Sequence, residues 1–317
     1  MIDSYSILLH NGRLESEHQP AQLLPEGVIA GSLTNKQHAD DFNIIIPANT
    51  HLAKPIQIIN RLDDDRTPPV HYQIVLEAGS SAQLMISDHS ISSEPSACNY
   101  TMDVTLGAAA HLELVRLQKI NEDASLNTVT TVEQSVASRM KTHYVTLGGG
   151  AIQNCLKVTL SGKNAEHIAA GLSLTQHKEH VDSQIKIIHA SPDCQSSQLF
   201  KNILSDTSTG AFTGHIIVNK DAQKTAAFQR NKNILMHPKA KMDIRPHLEI
   251  YADDVKCSHG ATVGQLDAEA LFYLCSRGIG EEEAKKMLLR AFTLEVLDGI
   301  SCEAFREIVL QHAKMQE

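Results

Sequence analysis

Hydrophobic and polar residues alternate over short stretches through the central part of the chain. From about residue 47 to 260, apolar side chains recur at every second position, and small-residue turns separate the stretches. A period of two is typical of half-buried β-strands, and no helical period of useful length interrupts it. The pattern predicts strands at Gln73–Leu76, His111–Val115, Thr142–Val145, Gln184–Ile188 and His215–Val218.

The turns between these strands recur at a nearly fixed interval. A small residue opens a strand at six positions, which are 28, 28, 27, 29 and 28 residues apart: Ala82, Ala110, Ser138, Ala165, Cys194 and Ala222. Strands repeating with this period, without a helix inside it, predict a β-solenoid. The next comparable turn, at Ala240, follows after only 18 residues, so the register is expected to change there. A β-sandwich is the alternative, because irregular strand spacing can imitate a period.

Helical patterns replace the alternation after Gly264. Asp267 is predicted to cap a first helix that runs through Leu274, and acidic residues open a second helix that Gly299 ends. Ser301 is predicted to cap a last helix with Phe305, Ile308, Val309 and His312 on one face. Helices at the end of a solenoid can cap its open edge or form a docking surface, and the two roles are compatible. The second helix carries an apolar stripe: Met287, Leu288, Ala291 and Leu294.

Composition and charge narrow the function. Among 317 residues, 42% are hydrophobic, which indicates a globular protein, and the net charge of −9 argues against nucleic acid as the main partner. No apolar run approaches the ~20 residues that span a bilayer, and the N-terminus has no signal-peptide pattern. The six cysteines are widely scattered. This favours free thiols in a reducing cytoplasm over a disulfide framework.

Sequence motifs for nucleotide binding and for metalloprotease chemistry are missing. Gly148–Gly150 is not followed by Lys-Ser/Thr, and Lys157 stands where a loop ending in Gly162-Lys163 would need its first glycine. We therefore expect no ATP binding through a phosphate-binding loop. His177–His180 lacks the HExxH order and is interpreted as a polar turn.

Two acidic runs leave a carbohydrate-active β-helix enzyme as an alternative. Asp63–Arg66 lies beside two prolines and is interpreted as a solvated loop, while Asp253 and Asp254 lie close to a Cys-x-His segment. Paired carboxylates cleave glycosidic bonds, but adjacent residues of a strand point to opposite faces and cannot easily act on one bond.

The stretch YADDVKCSHGATVG contains the most distinctive chemistry. Cys257 and His259 are two positions apart, so on a strand their side chains point the same way. A thiolate and an imidazole are good iron or zinc ligands, but two ligands do not complete a site. Either the pair belongs to ordinary packing, or another group supplies the remaining ligands. A purely structural β-helix with a buried Cys257 therefore remains a further alternative.

The run from Phe228 to Ile279 closely resembles the SufB/SufD family of iron–sulfur cluster assembly proteins. CSHGATVG together with SRGI-x-EEEA carries the resemblance, which extends more weakly back to Pro47 and covers about five-sixths of the chain. The CSHG form, and the absence of a cysteine in FQRNKN, are more similar to SufD than to SufB. The resemblance implies a right-handed parallel β-helix at residues 47–263, between a short segment at 1–46 and a helical subdomain at 264–317.

The resemblance also implies a function and partners. The chain is expected to be a non-catalytic, cytoplasmic scaffold that binds a SufB-like sister β-helix protein and a SufC-like ATPase, with a homodimer as a possible state in isolation. Cys257 and His259 are expected to face the sister chain and to share a transient cluster or iron with it, the isolated chain holding no cofactor. The expected ATPase-binding residues are Arg277, Gly278, Met287, Leu288, Ala291 and Leu294, and deleting residues 281–317 is expected to abolish that binding while leaving a soluble β-helix.

The N-terminal segment departs from the family pattern. Members of the family usually carry a helical region before the solenoid, whereas only some 46 residues precede Pro47 in this sequence. GRLESEHQPAQLLPEGVIAGSL resembles the linker into the β-helix, so the helical region is expected to be shortened or lost.

Overall fold

A computed structural model describes residues 3–14, 24–32, 41–63 and 69–312. Strands dominate these residues and wind into a parallel β-solenoid of about eight turns, as the alternation predicts. Each turn contributes one strand to each of two sheets, so odd-numbered and even-numbered strands of the central repeat separate into different sheets.

Ten of the described strands form sheet A: β1 (Tyr5–His10), β2 (Arg13–Leu14), β5 (Ile56–Leu62), β7 (Ser81–Ser90), β9 (His111–Lys119), β11 (Arg139–Thr146), β13 (Glu166–Thr175), β15 (Gln195–Leu204), β17 (Ala226–Leu235) and β19 (Lys256–Gly264). Nine form sheet B: β3 (Ile29–Ser32), β4 (Asp41–Ile46), β6 (Val70–Leu76), β8 (Ala97–Leu106), β10 (Ser125–Gln134), β12 (Ala151–Leu160), β14 (His180–His189), β16 (Thr209–Val218) and β18 (Lys241–Ile250). Pairing is parallel except at the first end, where β2 and β3 pair antiparallel to β1 and β4.

Residues before Pro47 already belong to the solenoid. β1 pairs in parallel with β5, and β4 pairs in parallel with β6. The segment compared above with a family linker, residues 12–33, lies outside the described residues at 15–23 and at 33. Residues 64–66 of the first acidic run lie outside them as well.

The lumen between the sheets is filled by the inward side chains of each strand. Ile, Leu and Val predominate, and the few aromatic residues stack there rather than being scattered. The ring centroids of Phe42 and Tyr72 are 5.9 Å apart, and those of Tyr72 and Tyr100 are 6.0 Å apart. Strands with alternating inward residues need few large rings because each turn is buried by its neighbours.

The repeat is confirmed, but two of its predicted positions are shifted. Strand register aligns a series of corner residues that are all at most 1% exposed: Ser80, Ala110, Ser138, Ala165, Cys194 and Thr225. Ala82 is the second residue of β7 rather than a corner residue. Ala222 lies inside the corner of seven residues that links β16 to β17.

The predicted change of register at Ala240 is wrong. Ala240 precedes β18 and is aligned with Ser208 before β16, so it belongs to the corner series of sheet B. The solenoid continues unchanged, since Val255 follows Thr225 in the sheet A series. His177–His180 forms a corner as predicted, with His177 at φ 53° and His180 opening β14.

Three helices follow the solenoid: α1 (Ala268–Ser276), α2 (Glu281–Leu297) and α3 (Glu303–His312). The Asp267 side chain caps α1 by accepting from the backbone N–H groups of Glu269 and Ala270, as predicted. The start of α3 was predicted too early, since the helix begins at Glu303. Ser301 precedes it, and its backbone N–H donates to Glu113 Oε1 (2.8 Å).

Candidate functional site

The last turn of the solenoid, formed by β18 and β19, is open. β18 pairs with β16 and β19 with β17, and no other described strand pairs with their outer edges. Inward side chains of β17 are buried, whereas those of β19 are exposed or only partly covered. The lumen therefore ends in a mouth with two strand edges that no other described strand pairs with and with inward side chains that are not buried.

Cys257 and His259 both point into this mouth. Their register partners on β17 are Ala227 and Gln229, which are 0% and 2% exposed and face the lumen. The prediction that the two side chains share one face of a strand is confirmed by this register. Whether they bind a metal remains a prediction.

The thiol and the imidazole differ in their surroundings. Cys257 is partly buried and packs against an apolar cluster that includes Ile216, Val218 and Ala252. Burial raises the pKa of the Cys257 thiol, and a hydrogen bond with the Ala227 backbone acts in the opposite direction. His259 is exposed at the mouth. The imidazole is therefore the more accessible ligand, while the thiol must lose a proton against the effect of burial.

The chain places two candidate ligand side chains at the mouth and not a complete metal site. Across the described ranges, no group of three or more His, Cys, Asp or Glu side chains is placed to hold a metal ion. A four-coordinate iron or zinc centre at Cys257 and His259 would need further ligands from outside the described chain.

Asp253 and Asp254 occupy the turn before β19, and both are exposed. The Asp254 N–H donates to Gln223 Oε1 (2.9 Å), and its carbonyl accepts from the Lys224 N–H (2.6 Å). The two aspartates therefore belong to the corner that links β18 to β19. Nothing in their arrangement resembles two carboxylates placed on either side of a scissile bond.

Helix α1 is apolar but uncovered. It contains Leu271, Phe272, Tyr273 and Leu274, yet none of its residues is buried. Phe272 is 75% exposed and Tyr273 is 56% exposed. The predicted residue Arg277 lies over the Tyr273 ring at 5.4 Å and donates to its hydroxyl (3.1 Å), and Gly278 ends the helix at φ 88°. The apolar side chains of α1 are therefore left uncovered by the described part of the chain.

The predicted stripe of α2 divides between two environments. Met287 and Ala291 are exposed, while Leu288 and Leu294 are partly buried. The fully buried side of α2 consists instead of Ala284, Thr293, Val296 and Leu297. The apolar stripe identified the helix correctly, but it could not distinguish the side facing the sheet from the side facing solvent.

The buried side of α2 and the helix α3 lie on the outer face of sheet A. Val296, Leu297, Ile300, Phe305 and Val309 form one cluster with outward residues of the sheet, which are Met85, Val115, Leu117, Val145, Ala170, Leu172 and Leu199. Ion pairs join α2 to the same sheet, because Glu295 of α2 pairs with Lys201 of β15 and with Arg230 (3.2 Å) and Lys232 (3.2 Å) of β17. Lys201 is chiefly responsible for lowering the pKa of Glu295.

Sequence reasoning missed the two aromatic residues of α1 and the glutamine beneath His259. AEALFYLCS is predominantly apolar, which was a signal that its side chains would need to be covered. Gln229 had no comparable signal, because its burial depends on where the solenoid ends.

The fold is a parallel β-solenoid with a helical appendage, in which the last turn of the solenoid and helix α1 are uncovered. Comparison with known proteins identifies the family. A family model described as "SUF system FeS cluster assembly, SufBD core domain" matches residues 60–292. The chain belongs to the SufBD family of iron–sulfur cluster assembly proteins.

Individual relatives agree with this assignment, and SufD is among them. The chain is 32% identical to the iron–sulfur cluster assembly protein SufD of Escherichia coli K12 over 277 residues, which cover 84% of this chain and 64% of that protein. It is 30% identical to a SufBD family protein of Synechocystis over 283 residues, covering 86% and 62% respectively. It is 32% identical to the chloroplastic protein ABCI7 of Arabidopsis thaliana over 217 residues, covering 68% and 46%. The chain thus spans less than two thirds of the length of these relatives.

No described helix is both long enough and apolar enough to cross a membrane.

Proposed function

We propose that this chain is a SufD-like scaffold subunit that assembles iron–sulfur clusters together with a SufB-like sister β-helix protein and a SufC-like ATPase. The observation that carries the proposal is the open last turn, which presents Cys257 and His259 beside two unpaired strand edges. The chain itself is not an enzyme in this proposal, and ATP hydrolysis belongs to the SufC-like partner.

Strand addition explains how the sister chain binds. The edges of β18 and β19 offer unpaired backbone groups that another β-helix end can extend. Such pairing would continue the lumen into the partner and bring the partner's side chains to Cys257 and His259. In the absence of the sister chain, a second copy of this chain would present the same edges, so a homodimer is the expected competitor.

The nascent cluster is the cargo of this interface. The neutral imidazole of His259 can bind iron directly, whereas the Cys257 thiol binds after deprotonation, which the metal itself promotes. We therefore propose His259 as the principal ligand and Cys257 as its neighbour. All six cysteines are free, which supports work in a reducing compartment such as the cytoplasm.

His259→Ala tests the site. Because His259 is exposed, the substitution is expected to change the free energy of unfolding by less than about 0.5 kcal/mol. It is expected to reduce cluster formation strongly in the assembled complex, and Cys257→Ser is expected to have a milder effect. In-cell complementation together with thermal melts would measure both properties.

Ser258→Ala is the matched control. Ser258 lies between the two ligands on β19 and pairs with the outward residue Phe228, so its side chain points away from the lumen. It should support normal cluster assembly. Normal assembly by His259→Ala, or a loss that unfolding fully explains, would contradict the proposed site.

The ATPase is proposed to dock on the uncovered surface formed by Phe272 and Tyr273 of α1 with Arg277, Gly278 and Met287. Deleting residues 281–317 would be a poor test, since removal of α2 and α3 would expose the apolar outer face of sheet A. Single substitutions of exposed residues avoid that problem.

Phe272→Ser is expected to weaken binding of the SufC-like ATPase by about 10- to 100-fold, because burial of one phenylalanine contributes roughly 1.5–3 kcal/mol. Calorimetry with the purified ATPase would measure this. Ile91→Ser is the control, since Ile91 is 55% exposed in a turn between β7 and β8. Equal affinities for the two variants would place the docking surface elsewhere.

A further inference from the structure

One column of inward side chains in sheet A changes from apolar to polar residues as it approaches the open mouth. Strand register stacks seven residues in this column: Leu84, Leu114, Thr142, Ala169, Gln198, Gln229 and His259. The first positions are apolar, as solenoid packing requires. The last positions before His259 are two glutamines, which packing alone does not explain.

These glutamines are buried without the hydrogen bonds that buried amides normally make. Gln198 is 0% exposed and Gln229 is 2% exposed. Neither amide atom of Gln198, nor the Oε1 atom of Gln229, has a hydrogen-bond partner among the described residues. A buried polar atom in this condition costs about 1–3 kcal/mol, so an aliphatic residue would be more stable at either position.

Neighbouring polar residues of β17 show that partners are available in this region. Asn231 Nδ2 donates to the Phe200 carbonyl (3.3 Å), and Asn233 Nδ2 donates to Asn231 Oδ1 (2.6 Å). The two asparagines thus stabilise the last turns of the solenoid. Gln229 differs from these asparagines, because its side-chain Oε1 atom has no partner among the described residues. It lies on β17, the strand next to the mouth.

The facing sheet makes room for the Gln229 amide. Gly214 of β16 lies opposite, and a Cβ atom there would come within 2.3 Å of Gln229 Oε1 and 2.4 Å of Cδ. Any larger residue at 214 would displace the amide. The absence of a side chain at Gly214 therefore gives the Gln229 amide room in the lumen, one strand away from His259.

We propose that Gln229 is a positioning residue for His259. Its carbonyl oxygen accepts a hydrogen bond from one ring N–H of His259, which fixes the tautomer and leaves the other ring nitrogen free for the iron of the cargo. Adjacent strands are about 4.8 Å apart, so an amide and an imidazole in register can meet after a rotamer change. Histidine ligands of metals generally donate their second N–H to such an acceptor. The inference rests on the proposed function of His259.

Gln229→Met tests the inference, and Gln198→Met is its matched control. Each substitution replaces a buried, poorly satisfied amide with an unbranched apolar side chain, so neither is expected to lower the melting temperature. Only Gln229 adjoins His259. The complex of this chain with its SufB-like partner would be titrated with Co²⁺, a spectroscopic probe that replaces iron, and the visible absorption would report both affinity and ligand geometry.

Gln229→Met is expected to weaken Co²⁺ binding by about 10- to 100-fold and to alter the ligand-field bands. Gln198→Met is expected to behave like the wild type, and Gln229→Glu, which keeps an acceptor, is expected to retain binding. Equal affinities for Gln229→Met and Gln198→Met would overturn the positioning role alone. Unchanged Co²⁺ binding by His259→Ala would overturn the proposed function as well, so the two failures are distinguishable.

Discussion

A charged pair inside the solenoid depends on both of its members. Arg116 and Asp88 are 3% and 0% exposed, and Arg116 Nε donates to Asp88 Oδ2 at 2.7 Å. Asn60 Nδ2 donates to the other carboxylate oxygen (2.6 Å), and the guanidinium lies 4.7 Å from the centre of the Tyr100 ring. In a lumen filled mostly by aliphatic side chains, each charge is tolerable because the other is present.

Asp88→Ala is therefore expected to destabilise the protein by about 3–5 kcal/mol, since it leaves Arg116 as an uncompensated buried charge. The double variant Asp88→Leu, Arg116→Met removes both charges and should recover most of that loss. Urea unfolding followed by circular dichroism would measure the three proteins. A double variant no more stable than Asp88→Ala would show that the pair stabilises the fold beyond mutual neutralisation.

At the residue scale, the sequence predicted which side chains lie together better than it predicted what surrounds them. The i, i+2 spacing of Cys257 and His259 placed both on one side of a strand, and the register confirms it. It could not show that this side is the lumen, nor that the lumen ends there, because both facts depend on how many turns the solenoid completes. The same limitation hid Gln229, whose neighbour in space is 30 positions away in sequence.

At the scale of elements, one corner of every turn is built in the same unusual way. Its central residue has a positive φ and donates its N–H to a carbonyl of the following turn, as Ala109 does to Val136 (2.8 Å) and Ala137 to Lys163 (2.9 Å). Asn164 and Asp193 repeat the arrangement with side chains that tolerate this conformation better. Alanine at such a position is strained, and glycine is not.

Ala109→Gly should consequently stabilise the protein, by about 0.5–1 kcal/mol, because the relief of strain exceeds the added entropy of the unfolded chain. Ala109 is exposed, so no packing is lost. Its exposed neighbour Ala108, which has no positive φ, is the control, and Ala108→Gly should be neutral or slightly destabilising. Differential scanning calorimetry of both variants would decide, and a lower melting temperature for Ala109→Gly would refute the argument.

Elements were predicted well wherever a local pattern determines them. Alternation located the strands, and the cap at Asp267 located the start of α1. The corner at Ala222 was misplaced because the link between β16 and β17 has seven residues instead of the four or five of the preceding corners in sheet A. The stripe of α2 lies on a helix as predicted, but its pattern could not show which face packs on sheet A, since that depends on contacts more than 80 residues away, such as Glu295 with Lys201.

At the scale of the whole molecule, the two ends of the solenoid are unlike. At the first end the sheets finish in the antiparallel strands β2 and β3 and the inward residues of β1 and β4 are buried, while the last turn leaves its inward side chains uncovered. Acidic conditions would act on three buried histidines, of which His167 and His189 lie in the lumen and His143 lies on the outer face of sheet A beneath the helices. Burial lowers the pKa of His143 to about 4, of His167 to about 3 and of His189 to about 4, with smaller contributions from Lys141 at His143 and from the neighbouring histidines at His167.

The sign of the resulting pH dependence follows from these values. Each of the three imidazoles is neutral in the folded protein at pH 7 and takes up a proton on unfolding once the pH falls below about 6.5. Their contribution to stability is therefore present above pH 6.5 and is lost as the pH falls towards 4. At pH 5 the loss is expected to be about 2 kcal/mol for each histidine, from roughly 1.5 pH units at 1.36 kcal/mol per unit.

His143→Leu isolates one of the three protons. Both ring nitrogens of His143 lack hydrogen-bond partners among the described residues, and the ring lies beneath Gly299 between α2 and α3. An apolar side chain of similar volume should therefore maintain or raise stability at pH 7, and it should reduce the proton uptake on unfolding at pH 5 by about one. Urea midpoints measured from pH 7.5 to 5 would give the proton uptake as the slope. An unchanged slope would mean that His143 is already charged, or already accessible to solvent, in the folded protein.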